Sequence, residues 1–148
     1  MSERDDVVEQ AFHVPIPEPK RIPLSELKAI ASTGFQFLLG LQGNLENIWG
    51  RKVDPTDPEA VSAYVRDVVL CTTDELHEVL AEVHWKPWKD SRGIKDVAKY
   101  REEMADVLHF ILDLYLAAGL TGEDIVADYL AKNDENHKRA QSAAYRGS

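Results

Sequence analysis

Cysteine is almost missing: Cys71 is the single one in 148 residues, which excludes an intramolecular disulfide and fits a reducing compartment. Positive charge is short too. Lysine and arginine number 17 against 26 aspartates and glutamates, a formal charge of −9, so non-specific binding to a nucleic-acid duplex has no electrostatic footprint. A phosphate-bearing partner must be drawn by local cations or by metal ions. No apolar run approaches the ~18 residues of a membrane span, and the opening MSERDDVVEQ has no apolar h-region. These absences predict a cytoplasmic protein with neither a membrane nor a nucleic-acid partner. Alternation of period two, internal repeats and low-complexity runs are absent as well, which leaves helices.

What is present divides into three parts. Residues 1–24 carry Pro15, Pro17, Pro19 and Pro23, which remove backbone donors and fix φ, so an extended arm is expected. Residues 25–140 read as one all-α catalytic domain, a bundle of four to five helices, and 141–148 as a polar tail. Ser25 is placed to cap a first helix in which Leu27, Ile30, Gly34, Leu38, Leu41, Leu45 and Ile48 recur at helical steps and Gly50 is the stop. Asp57, Pro58 and Glu59 form the start of a second, whose apolar stripe runs through Val61, Val65, Val68, Leu76 and Leu80. A third carries Val97, Met104, Val107, Leu108 and Ile111 inward and stops at Gly119. Thr121 and Asp124 open the fourth with a capping box, followed by Ile125, Tyr129 and Leu130 on its inner face.

Only a short corner separates the second and third helices, so they should form an antiparallel hairpin. Glu75 and Asp106 lie at equal sequence distances from Asp90–Ser91, and so do Glu78 and Glu103. Each pair therefore sits at one height on facing helices. A lone Glu-x-x-Glu is ordinary on a solvated helix face. A matched second pair is not, because four facing carboxylates repel and need a cation among them. The oxygen-only donor set suits Mg²⁺, with Mn²⁺ as a substitute.

The pattern "ELHE" followed by "EMAD" resembles that of the all-α nucleoside triphosphate pyrophosphohydrolases, which include the MazG-type enzymes and the dimeric dUTPases. "WKPWK", "HFILDL" and "GLTGEDIVADYLAKN" make it most similar to the dimeric dUTPases, from about residue 36 to the C-terminus. The resemblance implies a homodimer that hydrolyses dUTP to dUMP and pyrophosphate, with attack at the β-phosphorus. It implies that Glu75, Glu78, Glu103 and Asp106 hold Mg²⁺, with Glu75 also orienting the attacking water. His109 and Phe110 are implied beside the nucleoside, where Phe110 would crowd a ribose 2′-hydroxyl. Tyr129, Lys132 and Asn133 are implied at sugar and phosphates, Trp85, Lys86 and Lys89 at the pocket's border, and Arg139 and Arg146 closing over the phosphates.

Two departures bear on the substrate. The dimeric dUTPases resemble "LQ-x-x-LN" in their first helix; "LQGNLE" keeps Gln42 but has Glu46 where the asparagine stands. An amide serves uracil's mixed donor and acceptor edge, whereas a carboxylate only accepts. That puts a MazG-like enzyme acting on dCTP or dGTP beside the dUTP reading. The longer members' insertion between the third helix and the "GLT" helix is also missing. Two unrelated readings remain open at this point: a carboxylate-bridged di-iron bundle, from Asp74-x-x-His77 and Asp106-x-x-His109, and a helical dimerisation module without activity. Zinc proteolysis is excluded, since "HEVLA" lacks the second histidine of His-Glu-x-x-His.

Overall fold

The computed structural model describes residues 22–145. Within them the chain forms α1 Leu24–Trp49, α2 Pro58–Ala81, α3 Val97–Ala117 and α4 Gly122–Tyr145. All but the last three residues of the proline-rich arm, and Arg146, lie outside the described residues. Most helix ends follow local chemistry. The Asp57 carboxylate accepts the amides of Glu59 and Ala60 at 3.0 Å each, and Asp96 does the same for Ala98 and Lys99, so orphan donors at both N-termini are satisfied. Asp124 Oδ2 accepts from the Thr121 amide and hydroxyl, and Thr121 Oγ1 accepts from the Asp124 amide, the reciprocal box expected for α4. Gly50 (φ 67°) and Gly119 (φ 68°) leave α1 and α3 in the left-handed region that glycine favours.

Three boundaries differ from the sequence reading. Ser25 does not cap α1: the helix starts two residues earlier than that cap implies, at Leu24, with Pro23 at the N-cap and its carbonyl accepting from Glu26 and Leu27. α4 continues to Tyr145, past the polar tail expected from Gln141. The corner between α2 and α3 is no simple turn. Residues 82–96 fold back on themselves through an antiparallel bridge between Val83 and Ile94. The His84 amide donates to Gly93 and the Lys95 amide to Glu82, both at 2.8 Å. This small ribbon closes the hairpin and holds α2 along α3.

α1 packs along α4 and also touches α3. Leu39, Leu112 and Ile125 form the buried centre, with Phe35, Leu38, Tyr115 and Leu116 around it. Gly122 makes the α1–α4 approach possible: an added Cβ would lie 2.2 Å from the Ser32 carbonyl oxygen and 2.5 Å from the Gln36 amide nitrogen. Its own amide donates to Gln36 Oε1 at 3.0 Å.

The expected apolar stripes are only partly covered. Ile30, Leu41, Ile48, Leu76, Leu80, Met104 and Leu108 are 39–79% exposed, and Tyr129 is 71% exposed. The face of α1 that is buried is instead Leu39, Gln42 and Glu46. Among the described residues, one flank of these helices finds partners and the other is left bare. No single helix among the described residues is long and apolar enough to cross a membrane.

Candidate active site

The β-bridged ribbon and the α2–α3 packing bring the acids together. Carboxylate oxygens of Glu75, Glu103 and Asp106 all lie within 4.8 Å of one another. Burial raises the Glu75 carboxyl above its ordinary range, with repulsion from Glu78, Asp106 and Asp74 adding to it. Loss of solvent raises Glu103 as well, followed by the charges of Glu78, Glu102, Asp106 and Glu75. Glu78 thus belongs to the cluster electrostatically, one turn beyond the tightest three. Among the described residues none of these four carboxylates forms an ion pair with lysine, arginine or histidine. A group of mutually repelling oxygens with no internal cation fits a hard divalent ion, and these four residues are the ones that could hold it.

From this cluster a cavity of about 320 Å³ follows α3, reaching from Asp106 past His109 and Phe110 to Asp113. Glu75 faces it from α2, and α1 contributes Gln42, Leu45 and Trp49. The Arg51 guanidinium stacks 4.2 Å over the Trp49 ring at the same wall. Glutamine 42 ties two of these groups together. Its Nε2 donates to Asp113 Oδ1 at 2.7 Å. That fixes the amide's orientation, so Oε1 accepts from His109 Nδ1 at 2.6 Å. Burial raises the Asp113 carboxyl; Glu46 adds to the rise, while the Gln42 hydrogen bond and the charges of Arg51 and His109 oppose it.

A family model described as dUTPase matches residues 35–119. The chain belongs to the dUTPase family. The matched span of this dUTPase-family chain includes α2, α3, all four acids and the entire cavity wall. Among curated relatives, a dCTP pyrophosphatase of Enterobacteria phage T4 is 26% identical over 102 residues, covering 53% of this chain and 60% of that protein. A dCTP pyrophosphatase of Enterobacteria phage LZ5 is 33% identical over 70 residues, covering 40% and 41%. A DNA replication protein of phage T4 is 26% identical over 96 residues, covering 49% and 24%. The chain therefore spans less than two-thirds of the length of each of these relatives. No solved structure gives a significant match.

The structure gathers some of the residues singled out from the sequence and separates others. Gln42, Glu75, Asp106, His109 and Phe110 share the cavity. Glu46 is 2% exposed, but it is turned away from it. Its Oε1 accepts from Arg51 at 2.8 Å and its Oε2 from the Tyr64 hydroxyl at 3.1 Å, so both oxygens serve the protein. The Tyr64 hydroxyl is in turn pushed far above its ordinary pKa, by burial first and then by Asp113 and Glu46. Trp85, Lys86 and Lys89 line a separate recess of about 150 Å³ with Lys95 on the ribbon, where Trp85 and Trp88 meet edge to face at 6.2 Å.

Tyr129, Lys132, Asn133 and Arg139 are not brought to the cavity, because α4 packs on α1 and presents them outward. Lys132 and Arg139 both pair with Glu135 on that outer face. Sequence reasoning passed over Trp49, Arg51 and Asp113. The signal for Asp113 was available: it stands seven residues after Asp106 and four after His109, on the same helical face, as the one acid in an apolar run.

Proposed function

We propose that this chain is a Mg²⁺-dependent pyrophosphohydrolase that converts a pyrimidine deoxynucleoside triphosphate to the monophosphate and pyrophosphate. The observation that carries this reading is the continuity of one cavity with the three-carboxylate cluster. Phosphates belong at the cluster and the nucleoside along α3. Glu75, Glu78, Glu103 and Asp106 hold the metal, and Mn²⁺ replaces it. A divalent ion held there neutralises phosphate charge and acidifies the attacking water. Glu75 orients that water and accepts its proton. Phe110 packs against the sugar, and His109, held by Gln42, borders it.

The family description supports dUTP as substrate and the phage relatives support dCTP. The protein acts as a homodimer, in which a partner's α4 brings the equivalents of Tyr129, Lys132, Asn133 and Arg139 toward the substrate. The bare apolar flanks of α1, α2 and α3 support this assembly. The test is pyrophosphate release from dUTP, dCTP, dGTP, dATP, dTTP and UTP with Mg²⁺, with product oxygen traced in ¹⁸O-labelled water. Cleavage of a pyrimidine dNTP with label in pyrophosphate supports both the activity and β-attack. A panel left intact contradicts the reading.

A further inference from the structure

Asp113 is the one acid of the cavity that the metal reading does not use. It is 1% exposed. Oδ1 accepts from Gln42, but Oδ2 takes no hydrogen bond from any described residue and is not sealed from the cavity it lines. A buried acceptor in that state needs a donor from whatever fills the space. Beside it, Gln42 Nε2 spends one proton on Asp113 and has a second with no acceptor among the described residues. The wall therefore offers an acceptor and a donor side by side.

Seven residues of helix separate Asp113 from Asp106, about 10 Å of rise. That is the order of the span from a nucleotide's phosphate to the far edge of its base. The Glu46 carboxylate is not at this edge: it is buried, does not line the cavity, and accepts from Arg51 and Tyr64.

We infer that Asp113 is the specificity-determining residue for the base and that, with Gln42, it selects cytosine. The cytosine 4-amino group donates to Asp113 Oδ2, and N3 accepts the free Gln42 proton. Uracil in the same pose sets O4 against the carboxylate and N3–H against the amide proton, two repulsive contacts. Shifted so that N3–H meets Asp113, uracil gives one carbonyl oxygen to the Gln42 proton but sets its other carbonyl oxygen beside the carboxylate, a repulsion that cytosine, with its amino group on that side, does not meet. This deepens the proposed function and rests on its placement of the nucleotide.

The experiment measures calorimetric binding of the α,β-imido analogues of dCTP and dUTP with Mg²⁺ at pH 8, on wild type, Asp113→Asn and Asp113→Ser. Hydrolysis of dCTP and dUTP is followed in parallel. The wild type is expected to bind the cytosine analogue at least about tenfold more tightly. Asp113→Asn is expected to lower that ratio by about 10- to 100-fold, since it replaces a charged acceptor by an amide that can also donate. Asp113→Ser is expected to erase the preference without reversing it. An equal or tighter grip on the uracil analogue by the wild type, or a ratio unchanged in both variants, overturns the inference. Base discrimination that tracks Asp113 without hydrolysis of either nucleotide upholds the inference and removes the proposed activity. Hydrolysis with an unchanged ratio in the variants does the reverse.

Discussion

At the scale of single residues, the acid cluster holds a charge conflict that sets its response to pH. Glu75 and Glu103 have pKa values raised in the fold. The native state therefore keeps their protons to higher pH than the unfolded chain does. The contribution of these two groups to the stability of the metal-free protein is greatest below about pH 4, where both states are protonated. It falls as pH rises through the raised native values and stays lower above them. Glu103→Gln removes one charge from the conflict. In EDTA its melting temperature should exceed that of the wild type above about pH 6 and match it near pH 4. Added Mg²⁺ should stabilise the wild type more than the variant. A variant that melts below the wild type throughout, or that gains as much from Mg²⁺, contradicts a metal site at these residues. Asp113 and Glu46 show how far residue identity can be read without geometry. Glu46 drew attention in the sequence because it stands where an asparagine is expected, yet Arg51 and Tyr64 consume it. Those pairings join chain segments five and 18 residues apart, and no spacing rule signals them.

At the scale of elements, local chemistry carried the helix ends and non-local contact set the rest. Asp57 before Pro58, Thr121 with Asp124, Gly50 and Gly119 each act within a few residues, so their roles are visible in the string of letters. The Val83–Ile94 bridge pairs residues across eleven positions of irregular chain, where only a short corner was expected. The equal spacing of the two acid pairs about Asp90–Ser91 is compatible with the ribbon, because it lengthens both sides of the hairpin. The α1–α4 contact depends on Gly122. Gly122→Ala puts a Cβ against backbone atoms of Ser32 and Gln36 that no side-chain rotation can clear, and should destabilise the fold by about 1–3 kcal/mol or more. Urea unfolding checks it; a loss well under about 0.5 kcal/mol contradicts the packing described.

At the scale of the whole molecule, the apolar residues of α1 serve two faces. Ile30, Phe37, Leu41 and Ile48 follow one another at steps of seven, four and seven, and all are more than half exposed. Periodicity identified three of them as inward-facing, and a second chain would make that correct. The proposed homodimer would bury this flank, and sedimentation velocity at micromolar concentration should find it, with Leu41→Asp shifting the population to monomer while helix content is kept. A wild type that sediments as a monomer contradicts the assembly. The fold class, the hairpin and the four acids were legible because each repeats at helical spacing. The far end of the cavity was not, because Trp49, Arg51 and Asp113 meet only when α1 lies across α3. The proposed role of Glu75, Glu78, Glu103 and Asp106 is the metal site of a deoxynucleotide pyrophosphohydrolase. Its most direct test is the rate of pyrophosphate release from dCTP and dUTP by wild type and Glu75→Gln, each titrated with Mg²⁺ after EDTA. The expected result is Mg²⁺-dependent release by the wild type and a loss of roughly 100-fold or more in a variant that still folds. Release that is independent of Mg²⁺, or undiminished in Glu75→Gln, contradicts it.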